Sequence, residues 1–126
     1  MNKHVVTWFE IPVEDITRAS KFYSHVLGVE LHHTAYGPTS MAIFPAEGGS
    51  SEPTVHGALV KGEGYTPSDI GPLLYFNAGR DLAEPLSRIE AAGGTVLQPK
   101  MSIGEHGFIA IFRDTEGNRV ALHSPE

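Results

Sequence analysis

No cysteine occurs in the chain. Disulfides and thiolate chemistry are therefore excluded, and a reducing, cytoplasmic location is expected. The opening run MNKHVVTWFE has neither the apolar core nor the small-residue cleavage site of a secretory signal. No apolar run approaches the roughly 20 residues that a membrane span needs, so no membrane partner is expected. Cationic residues are few. Nine Lys and Arg face 15 Asp and Glu, for a formal net charge of −6. That balance gives no bulk attraction to nucleic acid. No glycine-rich phosphate loop opens a helix, since Gly48-Gly49 and Gly93-Gly94 read as a turn and a helix stop. Ser102 and Ser124 lack an evident base and acid, which leaves nucleophilic catalysis unsupported.

What is present fits a folded domain: 126 residues, of which 40% are apolar and 19% charged. Residues Val5 to Ile11 are β-branched and aromatic and predict a strand that Pro12 ends. Asp15 predicts a helix N-cap. The stripe Ile16, Ala19, Phe22, Tyr23, Val26, Leu27 predicts the helix, and Gly28 stops it. Strands are expected at Val29–Ala35, Ser40–Phe44 and Thr54–Lys61, with a loop over Ala46–Pro53.

The second half repeats this order. A strand is expected over Pro72–Asn77, a cap at Asp81, and a helix over Leu82–Gly93 with the stripe Leu82, Leu86, Ile89, Ala92. Strands at Thr95–Pro99, Phe108–Arg113 and Asn118–His123 follow. A shift of 66 residues places Asp15 on Asp81 and Gly28 on Gly94. The expectation is a single α+β domain of two tandem βαβββ modules, about residues 1–62 and 72–126. Gly62–Gly71 is the linker. One helix and four strands cannot bury both sheet faces, so two curved sheets should form a cup with helices outside.

The stretches FEIPVEDITRASKFYSHVLGVEL and GFIAIFRDTEGNRVALHS resemble the vicinal oxygen chelate superfamily, which includes glyoxalase I, bleomycin-resistance proteins and extradiol dioxygenases. The resemblance spans nearly the whole chain and is nearest to glyoxalase-related proteins of unassigned substrate. It implies paired βαβββ modules in a half-barrel, and a divalent metal that chelates two adjacent substrate oxygens. Carried over, the metal-ligand positions fall on Trp8, Ala58, Leu74 and Ala121. None of these can donate to a cation, so no cofactor is expected at the usual place.

Side chains two apart on a strand share a face. The cup should therefore be lined by Trp8, Glu10, His56, Ala58, Leu74, Phe76, Ala121 and His123, with Phe9 and Tyr75 facing the helices. Glu10, His56 and His123 are the candidates for a shifted metal site. Without metal, Glu10 is the candidate general base and His123 the candidate general acid. An equally open reading has Glu10 pairing with Arg119 or a histidine to satisfy buried polarity. Trp8, His56, Leu74, Phe76 and Ala121 are the candidate ligand contacts. The adjacent His32 and His33 must face opposite ways. Three functions stay open: a lyase or isomerase of glyoxalase type, a protein that sequesters a flat aromatic molecule, and an accessory protein with a filled cleft. A homodimer is expected, because repeated modules offer self-complementary edges.

Overall fold

A computed structural model describes residues 4–45 and 55–126. The first module contains β1 (Trp8–Pro12), α1 (Ile16–Leu27), β2 (His32–Tyr36), β3 (Thr39–Ile43) and β4 (His56–Lys61). The second contains β5 (Tyr75–Asn77), α2 (Ala83–Leu86), β6 (Thr95–Ser102), a 3-10 turn (Gly104–His106), β7 (Phe108–Arg113) and β8 (Arg119–Ser124). The fold is α+β, with two open four-stranded mixed sheets. Their strand orders are β1-β4-β3-β2 and β5-β8-β7-β6. In each, the first strand pairs in parallel with the last, and the other pairings are antiparallel. No helix among the described residues is long and apolar enough to cross a membrane. The expected loop over Ala46–Pro53 lies outside the described residues.

α1 forms as its sequence dictates. The Asp15 carboxylate accepts the Arg18 amide at 2.9 Å. Gly28 takes a left-handed φ of 68°, which glycine adopts without steric cost, and its amide bonds the Ser24 carbonyl. The buried stripe is Ala19, Phe22, Tyr23 and Val26, with Ser20 beside it. This stripe packs on both sheets: Tyr23 meets Phe44 and Phe76, and Phe22 meets Phe112. One core thus joins Ile11, Phe44 and Leu59 of the first module to Phe76, Phe112, Val120 and Leu122 of the second.

The second helix and several strand ends differ from expectation: β2 and β5 begin at His32 and Tyr75 rather than Val29 and Pro72, and β6 runs on to Ser102 rather than Pro99. The second helix is a single turn, not a run to Gly93. Pro85 lies in the first turn, where its missing amide is tolerated, and the regular bonds Leu86 to Leu82 and Ser87 to Ala83 follow it. Beyond Ser87 most bonds close three residues back, as in Arg88 to Pro85 and Ile89 to Leu86. Leu82, not Asp81, occupies the N-cap; the Asp81 carboxylate accepts the Ala83 amide at 2.9 Å from one residue further out. The first strand begins at Trp8; Val5 and Val6 are exposed and outside the sheet.

The turn Asp114–Asn118 locks the modules together. The Tyr23 hydroxyl donates to the buried Asp114 carboxylate, which also accepts the amides of Glu116 and Asn118. Burial, then the Asp114 charge and hydrogen bond, pushes the Tyr23 phenol far above its ordinary range. Glu116 reaches back to α1. It accepts the amides of Glu14 and Asp15, each at 2.9 Å, and two bonds from the Arg18 guanidinium. A carboxylate here satisfies free amides and meets the positive end of the helix dipole.

Burial pushes the Glu116 carboxyl up. Arg18, the Asp15 and Glu14 amides and the Thr115 hydroxyl outweigh it and hold the group at about 2, below the ordinary 4.5. A depressed folded-state value means that the stabilisation is complete above about pH 4.5 and is lost as pH falls through about 2. The contribution at neutral pH is about 3 kcal/mol at most. Thermal melts of the wild type should lose stability across that window. Glu116→Gln should flatten this part of the profile; an unchanged profile would remove Glu116 from this role.

Candidate functional site on the helix-free sheet faces

Because the core occupies one face of each sheet, the opposite faces look away from it. On the first sheet this face carries Trp8 and Glu10 from β1, and His56, Ala58 and Val60 from β4. Trp8 stands beside His56 and Glu10 beside Ala58 in the parallel register. Ala58, Val60 and Met41 form a small buried cluster, with Ile43 and Tyr65 packed on it. Trp8 is 42% exposed. Its indole N–H donates to Glu10 Oε2 at 3.1 Å, and the Tyr65 hydroxyl donates to Glu10 Oε1 at 2.9 Å. The hydrogen bond and charge of Glu10, with slight desolvation, push the Tyr65 phenol up. His33 points the other way and bonds Ser20 of α1 at 3.0 Å, so His32 takes the helix-free face.

On the second sheet, Val120 and Leu122 are in the core, so Arg119, Ala121 and His123 alternate onto the helix-free face. Tyr75 stands beside Ala121 and Asn77 beside His123. Ile109 and Ile111, across from His123 and Ala121, complete the floor. His123 Nε2 lies 2.6 Å from the His106 carbonyl oxygen, which ties the strand end to the 3-10 turn.

Leu74 and Phe76 do not line this face. Phe76 is buried, with ring centroids 5.9 Å from Phe9, 5.5 Å from Tyr23 and 5.3 Å from Phe44. Leu74 packs against the same cluster. The expected assignment is inverted here: Tyr75, 46% exposed, takes the helix-free face. The cause is one missing residue. Phe9 precedes Asp15 by six positions, whereas Phe76 precedes Asp81 by five. Trp8 therefore corresponds to Tyr75 and Glu10 to Asn77, and a one-residue slip turns every side chain over. Aligning the repeats on their core phenylalanines would have found this. Tyr65 carried no signal: it is a lone aromatic in a Gly- and Pro-rich linker. Leu74 and Phe76 instead wall a cleft of about 770 Å³ that also reaches Phe9, Phe44, His56 and Tyr75.

The metal-ligand positions of the resemblance hold Trp8, Ala58, Ala121 and, in place of Leu74, Tyr75 on the corresponding face. This donor set does not fit a divalent ion. Within one chain Glu10, His56 and His123 do not form a group of ligands either. The described residues contain no set of three His, Asp or Glu placed to hold a metal. Glu10 and His123 lie on different sheets, and each bonds its own neighbours. Glu10 does not pair with Arg119 among the described residues; its carboxylate serves Trp8 and Tyr65.

Comparison with known proteins agrees with this architecture. The family model described as Glyoxalase/Bleomycin resistance protein/Dioxygenase superfamily matches residues 3–122. A glyoxylase-like domain-containing protein of Didymella fabae is 34% identical over 121 residues, covering 93% of this chain and 91% of its own. A glyoxylase/bleomycin resistance protein/dioxygenase domain from Frankia sp. EAN1pec superposes with TM-score 0.72 at 18% identity, covering 98% of each chain. TnmS3, an antibiotic binding protein from Streptomyces sp. CB03234, superposes with TM-score 0.65 at 23% identity, over 100% of this chain and 99% of its own. A glyoxalase I mutant from Zea mays gives TM-score 0.70 at 20% identity. The match covers 94% of this chain but spans only 45% of the maize chain. With two βαβββ modules in tandem, the family model across almost the full length and a relative at 34% identity, the chain belongs to the glyoxalase/bleomycin resistance protein/dioxygenase superfamily.

Proposed function

We propose that this protein binds a small, flat, largely apolar molecule against the helix-free sheet faces, without metal at the usual positions. One observation carries the reading. The exposed Trp8 stands beside His56 and the exposed Tyr75 beside Ala121, on faces where the fully buried Ala58 and Ala121 take positions that metal donors would need. Apolar surface with a few polar groups is the usual make-up of such sites. The likeness to an antibiotic binding protein over the full length supports it.

The two faces look away from a shared core, so a closed cup needs a second copy. The first-module face of one protomer would meet the second-module face of its partner, giving two cups related by a twofold axis. Light scattering is expected to give a dimer mass; a monomer at working concentration defeats the shared cup. Only such a pairing would bring Glu10 of one protomer towards a partner imidazole. Acid–base turnover of lyase or isomerase type depends on that approach.

The discriminating measurement is metal titration of chelator-treated protein. Zinc, nickel and manganese are expected to bind weakly or not at all. Any binding through His56 or His123 should fade below about pH 6.5, because imidazole ligates only when neutral. Submicromolar binding lost in both Glu10→Ala and His123→Ala would sink this reading and restore a metalloenzyme.

A further inference from the structure

We propose that Trp8, Glu10 and Tyr65 form a subsite for a cationic group, a protonated amine or quaternary ammonium carried by the molecule bound on the sheet face. The proposal rests on the binding reading above and names the ligand class for the same site. Glu10 stands on an exposed strand position beside Ala58, over apolar Met41, Ala58 and Val60. Both its oxygens are oriented by neutral donors, Trp8 Nε1 at 3.1 Å and the Tyr65 hydroxyl at 2.9 Å. A carboxylate has about four acceptor sites, so each oxygen keeps a free lone pair.

No cation answers this charge among the described residues. Their ion pairs engage Asp69, Asp81, Glu84, Glu105, Glu116 and Glu126. The Tyr65 phenol, pushed up by Glu10, stays a neutral donor at physiological pH. The cluster thus joins one uncompensated negative charge to an indole and a phenol ring. Aromatic faces attract cations, indole most strongly, and a charge-assisted contact adds to that attraction. The overall charge of −6 draws a cation inward and repels an anion. A carboxylate that only anchored the linker would need its acceptor oxygens and not its charge, and this difference is testable.

Glu10→Gln keeps an acceptor oxygen and removes the charge. Trp8 is the only tryptophan, so its fluorescence reports directly from the subsite. The full-length protein is titrated with benzyltrimethylammonium and, in parallel, with neutral benzyl alcohol. The cation is expected to bind at least about tenfold more tightly than the alcohol, which is about 1.4 kcal/mol. Glu10→Gln should erase that preference and leave the alcohol's affinity within about twofold. Tyr65→Phe keeps the charge and the ring but frees one Glu10 oxygen, and should lower the preference without erasing it. Melting curves establish that both variants are folded.

Equal binding of the two probes to the wild type overturns the cationic subsite and leaves the binding site standing. So does a preference that survives Glu10→Gln, or one that is lost only in Tyr65→Phe. Failure of both probes to bind at millimolar concentration overturns the subsite together with the binding reading.

Discussion

Asp114→Ala is expected to cost about 3–5 kcal/mol of stability, enough to remove a large part of what holds a domain of this size folded. Asp114 is almost fully buried, and its two oxygens serve four donors. Removing it strands the Tyr23 hydroxyl and the amides of Glu116 and Asn118 in a dry environment. Each stranded group costs about 1–3 kcal/mol. The Asn118 side-chain amide retains the Pro12 carbonyl as an acceptor. Tyr23→Phe removes one donor and no acceptor, so its loss should be smaller, about 1–2 kcal/mol. Denaturant unfolding of the two single variants and the double variant would show strong coupling. Additive losses would argue against a shared network.

Phe22→Ala should be of similar size, about 3–5 kcal/mol, through a cavity rather than stranded polar groups. Phe22 is 2% exposed and meets Tyr23 edge-on at 5.0 Å and Phe112 at 5.9 Å between ring centroids. It also closes on the Gly94 backbone, where an added Cβ would lie 2.8 Å from its ring. The hole would therefore open between the modules, where neither can collapse alone to fill it. Calorimetry showing an unchanged melting temperature would contradict this placement.

The first module was readable around its helix, where the cues agreed, though its first strand begins only at Trp8. Asp15 caps, the stripe from Ala19 to Val26 is buried, and Gly28 closes the helix in a left-handed conformation. Trp8 and Glu10 were placed on the correct face of β1. The second module misled in two places for different reasons. Its helix stripe, Leu82, Leu86 and Ile89, is apolar at helical spacing, and Leu82 and Ile89 are indeed fully buried. Regular helix nonetheless ends at Leu86 and mostly three-back bonds follow; periodicity reports which side is buried and not which bonds are made. The faces of Leu74, Tyr75 and Phe76 were inverted because the repeat was aligned on its helix caps, beyond a one-residue deletion.

The cluster of Trp8, Glu10 and Tyr65 was half visible. Glu10 and Trp8 stand out by alternation. Their third member, Tyr65, lies 55 residues from Glu10 in a segment with no period. That contact depends on how the segment after β4 folds back over the first sheet, which no local pattern encodes. The same holds for Glu116, whose turn announces itself in the sequence while its partners on α1 do not.

The reach of Glu116 bears on the order of folding. Its bonds to the Glu14 and Asp15 amides span 102 and 101 residues of chain. A helix usually secures its first turn with side chains a few positions away. Here Asp15 supplies that local closure for Arg18, while two further amides wait for the opposite end of the molecule. The last hairpin must be in place before the amides at the entry to the first helix are satisfied. Long-range closures of this kind are entropically costly and slow, and they reward only the complete structure. The internal symmetry of the sequence would invite a reading of two independent halves, yet the amides leading into α1, those of Glu14 and the Asp15 cap, find their partner only when the second half is present. The repeated modules therefore behave as one cooperative unit rather than as two domains in series.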